Sequence, residues 1–349
     1  DEDFLTGIEI MPGSKAADSV QINQAIPGIA ANNPEWIFLT PTWSFTHQLP
    51  PVMEPNPSQD PLWSDLTEMI TAARAQGLKV AVHPQPHFLG SPDEWWSSSP
   101  RDFSWWNSWF DQYRGFAIHF AEAAEKQGVE MLVLGGDWLI PALPGGKLTN
   151  GDPSGVPADS ELRWTEILAE VDSRFSGTIA WTTSLPGQDN PPAYLDYIDQ
   201  VHLNWNPDLP IGEQATLEGM SNAVINSLDN EISDLWSNWL KPDDKRLVLR
   251  LAYPSVKNWA SDCSSPSDPA CYPISSFSIP APEIPELEKD FQQQATAYSA
   301  LISGAVKKSW VSGIVSQGYY APVILHDKSI SIHGKPSEEI INQWFAGLK

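Results

Sequence analysis

The sequence predicts a single (β/α)8 barrel. Three observations predict it. Short apolar runs alternate with longer helical patterns, and the alternation repeats eight times. No linker, low-complexity tract or charge block divides the 349 residues, a length that one large barrel accommodates as well as two ordinary domains. With 41% hydrophobic and 18% charged residues, the chain can bury a large core.

Taken in order, strands are expected near Gly7–Met11, Trp36–Pro41, Leu78–His83, Met131–Gly135, Thr178–Thr183, Gln200–Trp205, Leu247–Leu251 and Gly313–Gln317. Amphipathic helices are expected between them, most clearly over Asp60–Gln76, Phe103–Gln127, Ser160–Phe175, Gly212–Trp239, Glu286–Lys308 and Pro336–Phe345. In the second of these, Trp106, Trp109, Phe110, Tyr113, Ala117, Phe120, Ala121 and Ala124 recur at helical spacing. That stripe is expected to pack the helix onto the barrel rather than to touch a ligand.

The bulk composition excludes some partners. A net charge of −24 argues against nucleic acid and anionic membranes, both of which need basic patches. No run of 18 apolar residues exists, so no membrane span is expected. The chain opens on Asp1-Glu2-Asp3 without an initiator Met, which suggests a trimmed chain or a mature secreted protein. Its two cysteines, Cys263 and Cys271, fall in one Pro/Ser-rich stretch and are expected to form a disulfide, in keeping with an oxidising, extracytoplasmic location. So short a ring would stabilise by under roughly 3 kcal/mol.

In such barrels the chemistry lies at the C-terminal ends of the strands. Here those ends carry Glu9, Thr42-Trp43, His83 with Gln85 and His87, Asp137-Trp138, Trp181, Asn204-Trp205 followed by Asp208, Arg250 with Tyr253, and Gln317 with Tyr319 and Tyr320. Trp43, Trp138, Trp181 and Trp205 suggest aromatic platforms for sugar rings, and His83, Gln85, His87, Asn204, Arg250 and Tyr253 suggest groups that read hydroxyls. The 17 Trp of the chain cannot all serve this way, and about half are expected to be core filler. His83 and His87 invite a metal reading with Glu9 or Asp137. Pro84 and Pro86 break the helix that would put both histidines on one face, and no metal or cofactor is expected.

Several segments together resemble a known family. They are Pro41-Thr42-Trp43, Gly77-Leu78-Lys79-Val80, the stretch from Trp109-Phe110 through Tyr113-Arg114 and Ile118-His119-Phe120-Ala121 to Gly128-Val129-Glu130, Leu134-Gly135-Gly136-Asp137, and Gly334-Lys335-Pro336 ahead of Trp344-Phe345. The chain resembles clan A glycoside hydrolases and most closely glycoside hydrolase family 113, whose known members are endo-β-mannanases. The resemblance spans most of the chain and implies a (β/α)8 fold and a carbohydrate substrate. It also implies a Gly-x-Glu acid/base after strand four and a glutamate nucleophile ending strand seven. The matching positions here are Asp137 and Arg250.

A guanidinium cannot be a nucleophile, because it stays protonated and offers no lone pair. If Arg250 approached Asp137, its charge would favour the carboxylate, making Asp137 a better nucleophile than proton donor. The donor would then come from elsewhere: Asp208 past strand six, then Glu9, then Asp189 after strand five. Arg250 itself could bind an anionic sugar through its planar fork or simply pair with Asp137 or Glu9. The expected function is glycoside hydrolysis by a reassigned carboxylate pair centred on Asp137. A carbohydrate-binding protein on a degenerate barrel is the alternative.

Overall fold

The computed structural model describes residues 4–13, 15, 18–184, 191–260 and 272–348. Asp189, Cys263 and Cys271 lie outside the described residues, and so does the expected disulfide. Eleven strands occur among the described residues in chain order: β1 (Leu5–Ile10), β2 (Trp36–Leu39), β3 (Thr42–Gln48), β4 (Pro51–Glu54), β5 (Lys79–Val82), β6 (Gln85–His87), β7 (Met131–Gly135), β8 (Thr178–Thr183), β9 (Gln200–Trp205), β10 (Arg246–Leu251) and β11 (Gly313–Tyr319). Eight of them close a barrel in the order β1-β11-β10-β9-β8-β7-β5-β2. Every pairing in it is parallel. This is the predicted single (β/α)8 barrel.

The period-two alternation of each strand sorts its side chains into two cores. Leu5, Phe38, Ala81, Met131, Val133, Ala180, Val248 and Val315 point inward and fill the barrel. The intervening residues, among them Ile8, Ile37, Val80, Leu132, Ile179, Val201, Leu249 and Ile314, face the surrounding helices and join the larger core. Continuing the inward parity beyond this filling brings Glu9, His83, Thr182, Asn204, Arg250 and Gln317 to the C-terminal mouth. The sequence therefore plugs the barrel with hydrocarbon below and leaves polar groups above.

Local chemistry sets the helix ends. The helix Phe103–Gln127 starts where the Asp102 side chain accepts from Trp105 N, and it ends at Gly128 in the left-handed conformation, φ 60°. Its aromatic stripe is buried, as its spacing predicts. The helix expected from Asp60 begins instead at Trp63. Asp60 is turned inward, where its carboxylate accepts from Thr42 Oγ1, Ser44 Oγ and Asn56 N. The helix expected from Glu286 begins at Phe291, capped by Asp290 on Gln293 N. The one expected over Gly212–Trp239 is interrupted: an α-helix over Leu217–Ser227 passes into wider turns at Leu228–Ile232 and Trp236–Leu240. A small sheet, β4-β3-β6, was not anticipated; it stands beside the mouth and carries Trp43, Gln85 and His87.

Candidate active site

The mouth holds a cavity of about 180 Å3 whose walls include Glu9, His83, Gln85, Asp137, Trp138, Thr182, Asn204, Arg250, Ser278, Gln317 and Ile330. β9 and β10 pair with Asn204 opposite Arg250, so the amide and the guanidinium are cross-strand neighbours by register.

Arg250 is 1% exposed and Glu9 6%. Arg250 Nη2 donates to Glu9 Oε1 at 2.6 Å and to Gln317 Oε1 at 3.3 Å, and Nε donates to Asn204 Oδ1 at 3.1 Å. The other Glu9 oxygen meets His83 Nδ1 at 2.7 Å, and Gln85 Nε2 lies 2.7 Å from His83 Nε2. An amide nitrogen can only donate, so His83 Nε2 is the acceptor and Nδ1–H faces Glu9. Burial pushes the Glu9 carboxyl up, but Arg250 and His83 together outweigh it and hold its pKa at about 2. Burial lowers the pKa of His83 against the pull of Glu9, and drives His202 beneath it well below the ordinary value. The floor of the mouth is thus one buried ion pair with neutral imidazoles around it. A carboxylate kept ionised by Arg250 and engaged on both oxygens is a poor proton donor, which argues against that expected role for Glu9.

Asp137 sits above this floor and is exposed. The chain reaches it through Gly135 and Gly136, at φ 93° and 119°. A Cβ on Gly135 would lie 2.3 Å from Thr182 O, so only glycine permits β7 to turn outward this close to β8. The carboxylate accepts from Ser184 N at 2.9 Å, Ser184 Oγ at 2.8 Å and Asn204 Nδ2 at 3.2 Å. Arg250 pairs with Glu9 and reaches Asp137 only by way of Asn204. The direct Arg250–Asp137 field considered from the sequence is absent from the ion pairs of the described residues.

The remaining expected residues divide. Trp138 lines the mouth, with its ring packed against Tyr113, Phe45 and Phe88. Trp43 packs outward on His119, Phe116 and Phe120. Trp181 and Trp205 are both 2% exposed on the outward parity of β8 and β9; one packs on Trp164 and Tyr194, and the other donates to Ser227 Oγ. Tyr253 is 1% exposed, with its ring edge-on to Trp259. None of these four lines the mouth, whose aromatic wall is Trp138; Trp181 borders a neighbouring cavity with Thr183, Ser184 and Tyr194. His87 is exposed beside Ser44 and does not line the mouth; Asp208 lines a separate depression with Leu209, Pro210 and Glu213. Gln317, named at a strand end but given no role, and Thr182 and Ser278 also line the mouth; the inward parity of β11 and β8 was enough to place the first two there. Among the described residues, no group of three His, Cys, Asp or Glu side chains is placed to hold a metal, and no helix is long and apolar enough to cross a membrane.

Comparison with known proteins agrees with this architecture. A family model described as Glycoside Hydrolase Family 113 matches residues 15–232. Among solved structures, a GH113 β-1,4-mannanase superposes with a TM-score of 0.68 at 19% identity, covering 99% of both chains. The GH113 β-mannanase of Alicyclobacillus acidocaldarius gives 0.68 at 17%, covering 100% of this chain and 99% of its own. A β-glucuronidase from Ruminococcus gnavus gives 0.58 at 8%, covering 98% of this chain and 49% of its own. The search of curated proteins gives no match. At these identities the structural likeness speaks for the fold, while the family match covers more than half of the sequence. The chain therefore belongs to Glycoside Hydrolase Family 113 and is a glycosidase by family.

Proposed function

We propose that the mouth cleaves a neutral glycoside with Asp137 as the reacting carboxylate. One observation carries this reading: of the two carboxylates that the described residues place in the mouth wall, Glu9 is enclosed in an ion pair, and Asp137 alone is exposed to a ligand. All its partners donate to it, which suits an acceptor that attacks rather than an acid that gives a proton. In the proposed step an Asp137 oxygen bonds to the anomeric carbon while the bond to the leaving group breaks, and the leaving group departs with the electron pair. Water then displaces Asp137 from the sugar and releases a proton to solvent. Among the described mouth residues no carboxylic acid is free to protonate the leaving group. Glycosides whose leaving groups need no proton, such as glycosyl fluorides and dinitrophenyl glycosides, are therefore the substrates expected to react fastest.

Neutrality of the sugar follows from charge. Among the described residues, Arg250 is the only Lys or Arg in the mouth wall, and Glu9 already neutralises it. A uronate or sugar phosphate would meet Asp137 with no free cation to balance it, contrary to the anionic substrate that Arg250 suggests in the sequence. The lack of a second free carboxylate also favours a second reading, sugar binding without cleavage.

The discriminating experiment screens glycosyl fluorides of neutral hexoses with the wild type and Asp137→Asn. Cleavage lost in Asp137→Asn with sugar binding retained supports the enzyme. Binding without any cleavage by the wild type supports the second reading. We also place the protein outside the cytoplasm; a mass change on reduction and alkylation would report a Cys263–Cys271 bond, and two free thiols would count against this location.

A further inference from the structure

We infer that Arg250 is a positioning residue, which acts on Asp137 through the side-chain amide of Asn204 and does not touch the substrate. The inference rests on the role proposed for Asp137 and deepens it.

A side-chain amide is a two-ended connector, one end accepting and the other donating, and its orientation is set by whichever end is held more firmly. Asn204 Oδ1 accepts from Arg250 Nε at 3.1 Å, and Asn204 Nδ2 donates to Asp137 Oδ2 at 3.2 Å. Turned over, the amide would bring its oxygen to a carboxylate oxygen and its nitrogen to a guanidinium N–H. Both contacts would become repulsive, so the charge of Arg250 selects the orientation in which Asp137 receives a donor.

Arg250 is itself held at three points: Glu9 and Gln317 through Nη2, and Asn204 through Nε. Its side chain is 2% exposed and borders the cavity only at its wall, and Nη1, which has no hydrogen-bond partner among the described residues, is buried with the rest. The titratable and charged groups around this unit are Glu9 from β1, His83 following β5, His202 and Asn204's neighbour Arg250 on β9 and β10, and Asp137 itself. The guanidinium thus occupies the end of the seventh barrel strand as a fixed strut between the buried ion pair and the reacting carboxylate.

The test is a double-mutant cycle between Arg250 and Asn204, read as kcat and KM on the glycosyl fluoride that the wild type cleaves. Because Arg250→Met alone strands the Glu9 charge and Glu9→Gln alone strands the guanidinium, the two are replaced together as one unit, Glu9→Gln/Arg250→Met, and compared with the wild type. This paired replacement is expected to lower kcat roughly tenfold or more with KM unchanged. Asn204→Ala is expected to give a similar loss, and combining the two should add little. Effects that multiply, or a rise in KM with kcat unchanged, would overturn the inference by showing an independent or substrate-binding Arg250. A second readout does not need activity: the side-chain 15N resonance of Asn204 should move when Asp137→Asn is made, and that response should be lost in the Glu9→Gln/Arg250→Met background. An active enzyme whose Asn204 resonance ignores Arg250 contradicts the inference alone. A wild type that cleaves nothing but keeps this response contradicts the proposed catalysis and leaves the positioning intact.

Discussion

Burial alone would raise the pKa of Glu9, yet Arg250 and His83 bring it down to about 2 from an ordinary 4.5. The sign of the consequence follows from linkage. Because the folded state has the lower pKa, the native carboxylate contributes stability above the unfolded value and loses it as pH falls toward 2. The shift corresponds to about 3 kcal/mol, lost progressively from near pH 4.5 downward. Urea unfolding of the wild type should show this loss, and Glu9→Gln should have a flatter profile over the same window. At neutral pH Glu9→Gln should cost about 3–5 kcal/mol, since it strands a buried guanidinium. Of this floor, the sequence showed the participants but not their pairing. Glu9, His83, Gln85, Asn204 and Arg250 were visible as strand-end polar residues. That Arg250 turns to Glu9 rather than to Asp137 depends on barrel closure between β1 and β11, which joins the two ends of the chain.

At the scale of the element, the turn after β7 fixes where Asp137 stands. Gly135→Ala would put a Cβ against Thr182 O and hold a non-glycine residue at φ 93°. A loss of about 1–3 kcal/mol, seen as a fall in Tm, is expected, together with impaired cleavage. A second element is tied by Lys335, whose Nζ donates to Asp327 and Ser329 O in the connection between β11 and the last helix, and to Ser255 Oγ after β10. Lys335→Ala should cost about 3–5 kcal/mol by leaving Asp327 buried without its cation, measurable by urea denaturation. The strands show why some site residues were misread. Period-two parity puts Trp181 and Trp205 outward, on the face away from Thr182 and Asn204, so proximity to a strand end was a poorer guide than parity. The interrupted helix after Ser227 left no comparable signal, because its apolar spacing reads as helical on both sides of the wider turns.

For the whole molecule, the eightfold alternation was enough to give the closed barrel. The small β4-β3-β6 sheet was not legible, because all three strands lie within what reads as loop and β4 and β6 span only four and three residues. The net charge of the mouth is set by parts from opposite sides of the barrel, and it predicts substrate class: a uronate analogue of the accepted hexoside should bind at least roughly tenfold more weakly, by competition assay. The role proposed for Asp137 as the reacting carboxylate is read most directly in the rate of glycosyl fluoride cleavage by wild type and Asp137→Asn, with sugar affinity measured on both. Asp137→Asn should lower kcat on the order of 10^4-fold at unchanged affinity; an Asp137→Asn protein that cleaves as fast as the wild type would mean that another group reacts.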